Sequence, residues 1–240
     1  MKKEYVKRRS QILGREIEYN LYGDRGRPMI AFPTRGGTFY QYEDSGMIEA
    51  VRPLIEQGKI QLLTPEGFAE EAGEAPDEKI RRYARYIEFI ARDVIADLRA
   101  RNGSGQKVLA SGCGLGAFHA ANIGLKFPDV CDALICQSGY YHASCLVGGH
   151  MDETTYLHSP LAFLPNLTDP AALDAFMRAR MVFSVGRGAH EHDPMMETLA
   201  LQEIFNRKGL PAFFDLWGPD VSHDWSWWRK QLPYFLEKVL

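Results

Sequence analysis

Gly112-Cys113-Gly114-Leu115-Gly116 is the segment of this 240-residue chain whose residue types and spacing point most directly to chemistry. An apolar run ends just before it near Ser111, and a helical pattern follows it to about Lys126. Strand, tight turn and helix are the setting of the turn G-x-S-x-G, which lifts a serine hydroxyl above a sheet. Its outer glycines are needed because side chains there would strike the neighbouring strand and helix. Both outer glycines are present, but the centre, where the hydroxyl belongs, is Gly114. Cys113 is one place early, and a frame centred on it would put Leu115 where a small residue must pack, so it reads as a buried thiol. A phosphate cradle is the other use of a glycine-rich turn, but the G-x-G-x-x-G spacing is missing and the turn lies mid-chain.

Downstream lie the groups that would work with such a turn. His223 follows an apolar run, Ala212 to Trp217, in the loop Gly218-Pro219-Asp220-Val221-Ser222, where a general base is expected. After the run Met181 to Val185 come two carboxylates, Glu191 and Asp193. Either carboxylate is placed to partner the imidazole. Position 114, Asp193 and His223 keep the chain order nucleophile, acid, histidine. His190-x-His192-Asp193 also has the look of a metal-ligand run, but no second ligand cluster accompanies it, and no metal is expected. The backbone N–H of Leu115, with that of Thr34 or Arg35 after the run Met29 to Phe32, would form an oxyanion hole. Arg35, Tyr140 and Tyr141 are the candidate substrate contacts.

The elements that must position these groups can be read from periodicity. Tyr5 to Arg9 and Glu16 to Tyr22 alternate like antiparallel edge strands. Met29 to Phe32, Ile60 to Leu63, Val108 to Ala110, Ala133 to Cys136, Met181 to Val185 and Ala212 to Trp217 are short apolar runs of the kind that fill buried parallel strands. Between them helical patterns recur, the clearest from Glu78 to about Asn102. This alternation predicts an α/β fold, a mostly parallel central sheet with helices on both faces, as one domain over residues 1–240. Residues 140–166 match neither period and are expected to be a small lid-like insertion over the site.

Several segments together resemble the bacterial esterase family related to esterase D and polyhydroxybutyrate depolymerases, over nearly the whole chain. They are Phe32-Pro33-Thr34-Arg35-Gly36-Gly37, Tyr40-Gln41-Tyr42-Glu43-Asp44, the Gly112 to Gly116 turn, Pro165-Asn166-Leu167-Thr168-Asp169-Pro170 and His223-Asp224-Trp225-Ser226-Trp227-Trp228-Arg229. The resemblance implies an α/β-hydrolase fold, acyl transfer from a small ester to water, and no cofactor. It also implies that Asp193, which precedes a proline and a helical run as the family acid does, is the preferred partner of the imidazole, with Glu191 as the fallback, and that serine belongs at position 114, so the chain departs from the family at its nucleophile.

Composition narrows the partners. With 28 Lys and Arg against 31 Asp and Glu the net charge is -3, which leaves no basic excess for nucleic-acid phosphates. No apolar stretch is long enough for a membrane helix or a secretory signal, so a cytoplasmic protein is expected. Four cysteines in a chain of this size, without a CxxC pair, read as reduced thiols. The expected partner is a small ester or acyl compound; homo-oligomers are neither required nor excluded.

Overall fold

Every apolar run becomes a strand in the computed structural model, which describes residues 1–240. The strands are β1 (Lys3–Arg9), β2 (Glu16–Tyr22), β3 (Arg27–Phe32), β4 (Ile60–Pro65), β5 (Val108–Cys113), β6 (Cys131–Gln137), β7 (Arg180–Val185) and β8 (Phe213–Leu216). They form one sheet in the order β1-β2-β4-β3-β5-β6-β7-β8. β1 and β2 pair antiparallel, as does β2 with β4, and all the other pairs are parallel. β4 and β5 are buried along their whole length, which is why they read as unbroken apolar runs rather than as alternation.

The helices are α1 (Gln41–Asp44), α2 (Met47–Glu56), α3 (Pro76–Phe89), α4 (Ile95–Asn102), α5 (Leu115–Lys126), α6 (Ser144–Val147), α7 (Glu153–Leu157), α8 (Pro160–Phe163), α9 (Pro170–Arg178), α10 (His192–Lys208) and α11 (Trp225–Val239). The long pattern from Glu78 is thus two helices, α3 and α4, joined by a π-helical turn, Ile90–Val94. Two apolar cores result. One, of 44 buried residues, takes Ile30 and Phe32 of β3 together with α3, α4, α5 and α10. The other, of 20, takes Met29 and Ala31 together with α2 and α11. Consecutive residues of β3 therefore serve opposite faces of the sheet. No helix is long and apolar enough to cross a membrane.

Residues 140–166 fold as α6, α7 and α8 with a 3₁₀ turn at Leu164–Asn166. Helices of four or five residues span little more than one turn, too short to show a period in sequence. The segment is tied down by the Glu197 carboxylate of α10, which accepts the backbone N–H groups of Tyr141 and of His142, the latter at 2.8 Å. Burial holds this carboxyl above the usual carboxylate range. β4 lies on one side of β3 and β5 on the other, so the order reverses there and a crevice opens beyond the carboxyl ends of β3 and β5.

Candidate active site

The turn from β5 into α5 has Gly114 at φ 55°, ψ -120°, a conformation that side chains disfavour. The glycines around it are there for space. A Cβ on Gly112 would stand 2.2 Å from the carbonyl of Gly116, and one on Gly116 would stand 2.5 Å from the carbonyl oxygen of Phe32. Leu115 opens α5, where an N–H has no intrahelical acceptor, and no other backbone or side-chain acceptor takes it.

Two loops bring the titratable groups to this turn. The β7–α10 loop packs on the β8–α11 loop so closely that a Cβ on Gly186 would sit 2.1 Å from the Val221 carbonyl oxygen. Backbone bonds from Gly188 N to Val221 O at 2.8 Å and from His223 N to Ala189 O at 3.0 Å lace them together. The His223 ring then faces the turn: its Nε2 lies 2.9 Å from the point where a Cβ on Gly114 would stand. Its Nδ1 lies 3.4 Å from Oε2 of Glu191. With the Nδ1 proton turned to that carboxylate, the Nε2 lone pair is left for the cleft. A Cβ at Gly114 would be crowded by this ring, so the space there is tighter than an open serine-sized gap.

The carboxylate beside the imidazole is Glu191, and the preference for Asp193 is corrected. Glu191 is buried, at 1% exposure, whereas Asp193 is exposed in the first turn of α10. The helix starts at His192, and two residues of helix turn a side chain by about 200° about the axis, so residues 191 and 193 cannot face the same loop. A left-handed residue, His190 at φ 63°, bends the chain immediately before Glu191. On the far side, Oε1 of Glu191 accepts from Ser138 Oγ at 2.6 Å, and Ser138 Oγ accepts from Trp228 Nε1 at 2.9 Å.

Of the two candidate donors after β3, Thr34 is already engaged, since its N–H donates to Gln41 Oε1 at 2.8 Å. The N–H of Arg35 has no acceptor. Arg35's guanidinium pairs with Glu70 and donates to the Cys145 carbonyl, tying α6 to the β4–α3 loop rather than standing free for a substrate carboxylate. Tyr140 lines the cleft with its ring centroid 6.4 Å from that of His223. Tyr141 does not line the cleft: its ring is fully buried, edge-on to Phe183 of β7, which removes it from the substrate contacts. Thr34, Arg35, Gly114, Leu115, Tyr140 and His223 line a cleft of about 280 Å³. A larger hollow, about 1070 Å³, lies at the opposite end of the sheet beside Arg27 and Arg180, the first residues of β3 and β7, and holds none of these groups.

Cys113 points away from the cleft. Its Sγ is buried 3.6 Å from both Tyr42 Oη and Gln137 Oε1, and burial pushes the thiol far up. Gln41, Ser138 and the indole N–H of Trp228 are site features that sequence reading left unassigned. The signal for Ser138 is its place at the end of the strand beside β5; Gln41 and Trp228 lie inside segments that carry the family resemblance.

No family model matches the chain and no curated protein matches it by sequence. Solved structures do match by shape. A ferulic acid esterase superposes with a TM-score of 0.77 at 14% identity, over 100% of this chain and 99% of that one. MPT51 (FbpC1) of Mycobacterium tuberculosis gives 0.76 at 15%, over 100% and 98%. An S-formylglutathione hydrolase from Agrobacterium tumefaciens gives 0.75 at 11%, over 99% and 95%. Likeness at such low identity is likeness of backbone, and with the sheet order and the glycine-flanked turn it establishes that this chain has the α/β-hydrolase fold.

Proposed function

We propose that the chain is the scaffold of a carboxylic-ester hydrolase, complete in its base, acid and oxyanion donors and lacking only the nucleophile. One observation carries this reading. His223 Nε2 stands 2.9 Å from the Cβ position of residue 114, at the centre of a glycine-flanked strand-to-helix turn, while Nδ1 faces the buried Glu191. With a serine at 114, Nε2 would take the hydroxyl proton as the oxygen attacks the ester carbonyl. The N–H groups of Leu115 and Arg35 would hold the oxyanion, and Glu191 would steady the imidazolium. The proton on Nε2 would then pass to the departing alcohol, and water would release the acid by the same steps. The roles of His223, Glu191, Leu115 and Arg35 belong to this proposal, as does the use of residues 140–166 as a cover over the site.

With Gly114 no acyl-enzyme forms, so the chain holds a small ester or acyl compound in the cleft and turns it over slowly. The experiment compares the chain with Gly114→Ser on p-nitrophenyl esters of several acyl lengths, with Gly114→Ser/His223→Ala as control. Loss of the nucleophile of a serine hydrolase costs about a millionfold in kcat while leaving about a thousandfold over water, so Gly114→Ser is expected to gain several orders of magnitude, up to about a millionfold. If Gly114→Ser folds and stays as slow as its parent on every ester, the hydrolase reading falls and a ligand-binding protein replaces it. The unpartnered Nε2 facing the cleft favours one further reading, direct deprotonation of water or of a non-ester substrate by His223. It predicts a parent rate that disappears in His223→Ala and does not rise in Gly114→Ser.

A further inference from the structure

Ser138, immediately after β6, holds a backbone conformation that serine disfavours. Its φ is 50°, in the left-handed region that disfavours every residue but glycine. The strain is fixed from outside, since the Ser138 N–H donates to the Ser184 carbonyl of β7 at 2.7 Å. The residue is buried, and its hydroxyl lies between two groups of the site. An indole N–H can only donate, so the Trp228 Nε1 bond at 2.9 Å uses a lone pair of Ser138 Oγ. That leaves the hydroxyl proton for Glu191 Oε1 at 2.6 Å. Ser138 is the sole side-chain partner of Oε1. The Trp228 ring meets the His223 ring edge-on, with centroids 4.9 Å apart.

We infer that Ser138 is a positioning residue for the His223–Glu191 pair. Its hydroxyl, aimed by Trp228, fixes the rotation of the buried carboxylate so that Oε2 faces Nδ1. Without that bond Oε1 is buried unsatisfied, and the carboxylate is free to turn about its last torsion and lose the imidazole. A hydroxyl at this point also explains why serine stands where glycine would be unstrained. The effect on rate rests on the hydrolase reading above; the effect on the His223–Glu191 bond does not.

The deciding variant is Ser138→Gly, because glycine relaxes the backbone while removing the hydroxyl, so a residue of purely structural value would leave the site intact. Two measurements are made. In the chain as it stands, the proton on His223 Nδ1 is followed by NMR in its far-downfield region; a line is expected that disappears in Ser138→Gly and in Glu191→Gln and persists in Asp193→Asn. In the Gly114→Ser protein, adding Ser138→Gly is expected to lower kcat on p-nitrophenyl acetate about 10- to 100-fold, the scale of a misplaced catalytic group, with KM within about twofold. Trp228→Phe keeps the ring against His223, deletes the N–H, and is expected to act in the same direction to a smaller extent. Should Gly114→Ser prove inactive, the hydrolase reading fails, and the NMR line alone decides the role of Ser138. The inference is overturned if the parent shows no such line, or if the line survives in Ser138→Gly.

Discussion

Placing any side chain at position 114 tests the geometry of the turn before it tests catalysis. Gly114 has a positive φ of 55°, a backbone that costs a non-glycine residue about 1–3 kcal/mol. A Cβ there meets nothing but the His223 ring, at 2.9 Å from Nε2 and 3.4 Å from Cε1. The ring can give way, because Nδ1 at its other end is 3.4 Å from Glu191 Oε2, about 0.5 Å beyond a good N–H···O bond. Retreat along this axis relieves the Cβ contact and shortens the His223–Glu191 bond, so the clash is largely offset and the backbone strain remains. Gly114→Ala and Gly114→Ser are both expected to lose about 1–2 kcal/mol. For a chain of this length that lowers Tm by roughly 2–8 °C, at about 2–4 °C per kcal/mol. The assay is thermal unfolding followed by circular dichroism, with a crystal structure of Gly114→Ser for the Nδ1–Oε2 distance. Only Gly114→Ser should gain esterase activity, so stability falls in both variants while the rate rises in one. The reasoning is refuted if Gly114→Ala is as stable as the parent, or if the Nδ1–Oε2 distance lengthens in Gly114→Ser.

Other outcomes follow from the same geometry. In the Gly114→Ser protein, Glu191→Gln should cost about 10³–10⁴ in kcat, as loss of a triad acid does, while Asp193→Asn stays within about threefold; equal losses would return Asp193 to the site. Cys113 should resist iodoacetamide at neutral pH in the folded protein, because its thiol is buried and its thiolate disfavoured, and peptide mass spectrometry showing it as the first cysteine labelled would contradict this. Burial lowers His119 to about 3 and His158 to about 4, so on unfolding each takes up a proton that the folded chain refuses. Their contribution is therefore whole above about pH 6.5 and is lost as pH falls toward 4 and 3, roughly 2 kcal/mol each by pH 5. Urea midpoints at pH 7 and pH 5 should show it, and His119→Gln should flatten the dependence; a parent and variant that fall equally would count against it.

Much of this was legible in the residues alone, wherever a local rule has one solution. Alternating and unbroken apolar runs specify strands that face one or two cores, and all eight form where those runs lie. Gly112 and Gly116 mark the turn because no other residue fits against the Gly116 and Phe32 carbonyls. The order of turn and histidine likewise placed His223 against position 114. Where neighbours in sequence compete for one role, only the tertiary structure decided. Glu191 and Asp193 carry the same chemistry two residues apart, and the choice fell to a left-handed His190 and to a helix that begins between them. Thr34 and Arg35 both offer an N–H, and Gln41, from α1, takes the first. Tyr140 and Tyr141 point to opposite environments, one toward the cleft and one into the core. Ser138 gains its partners from the loop before α10 and from α11, 53 and 90 residues away in the chain. Periodicity and steric demand act over a few residues and can be read from them, whereas the partner of a hydrogen bond is set by which loops meet, and the packing of the whole sheet determines that.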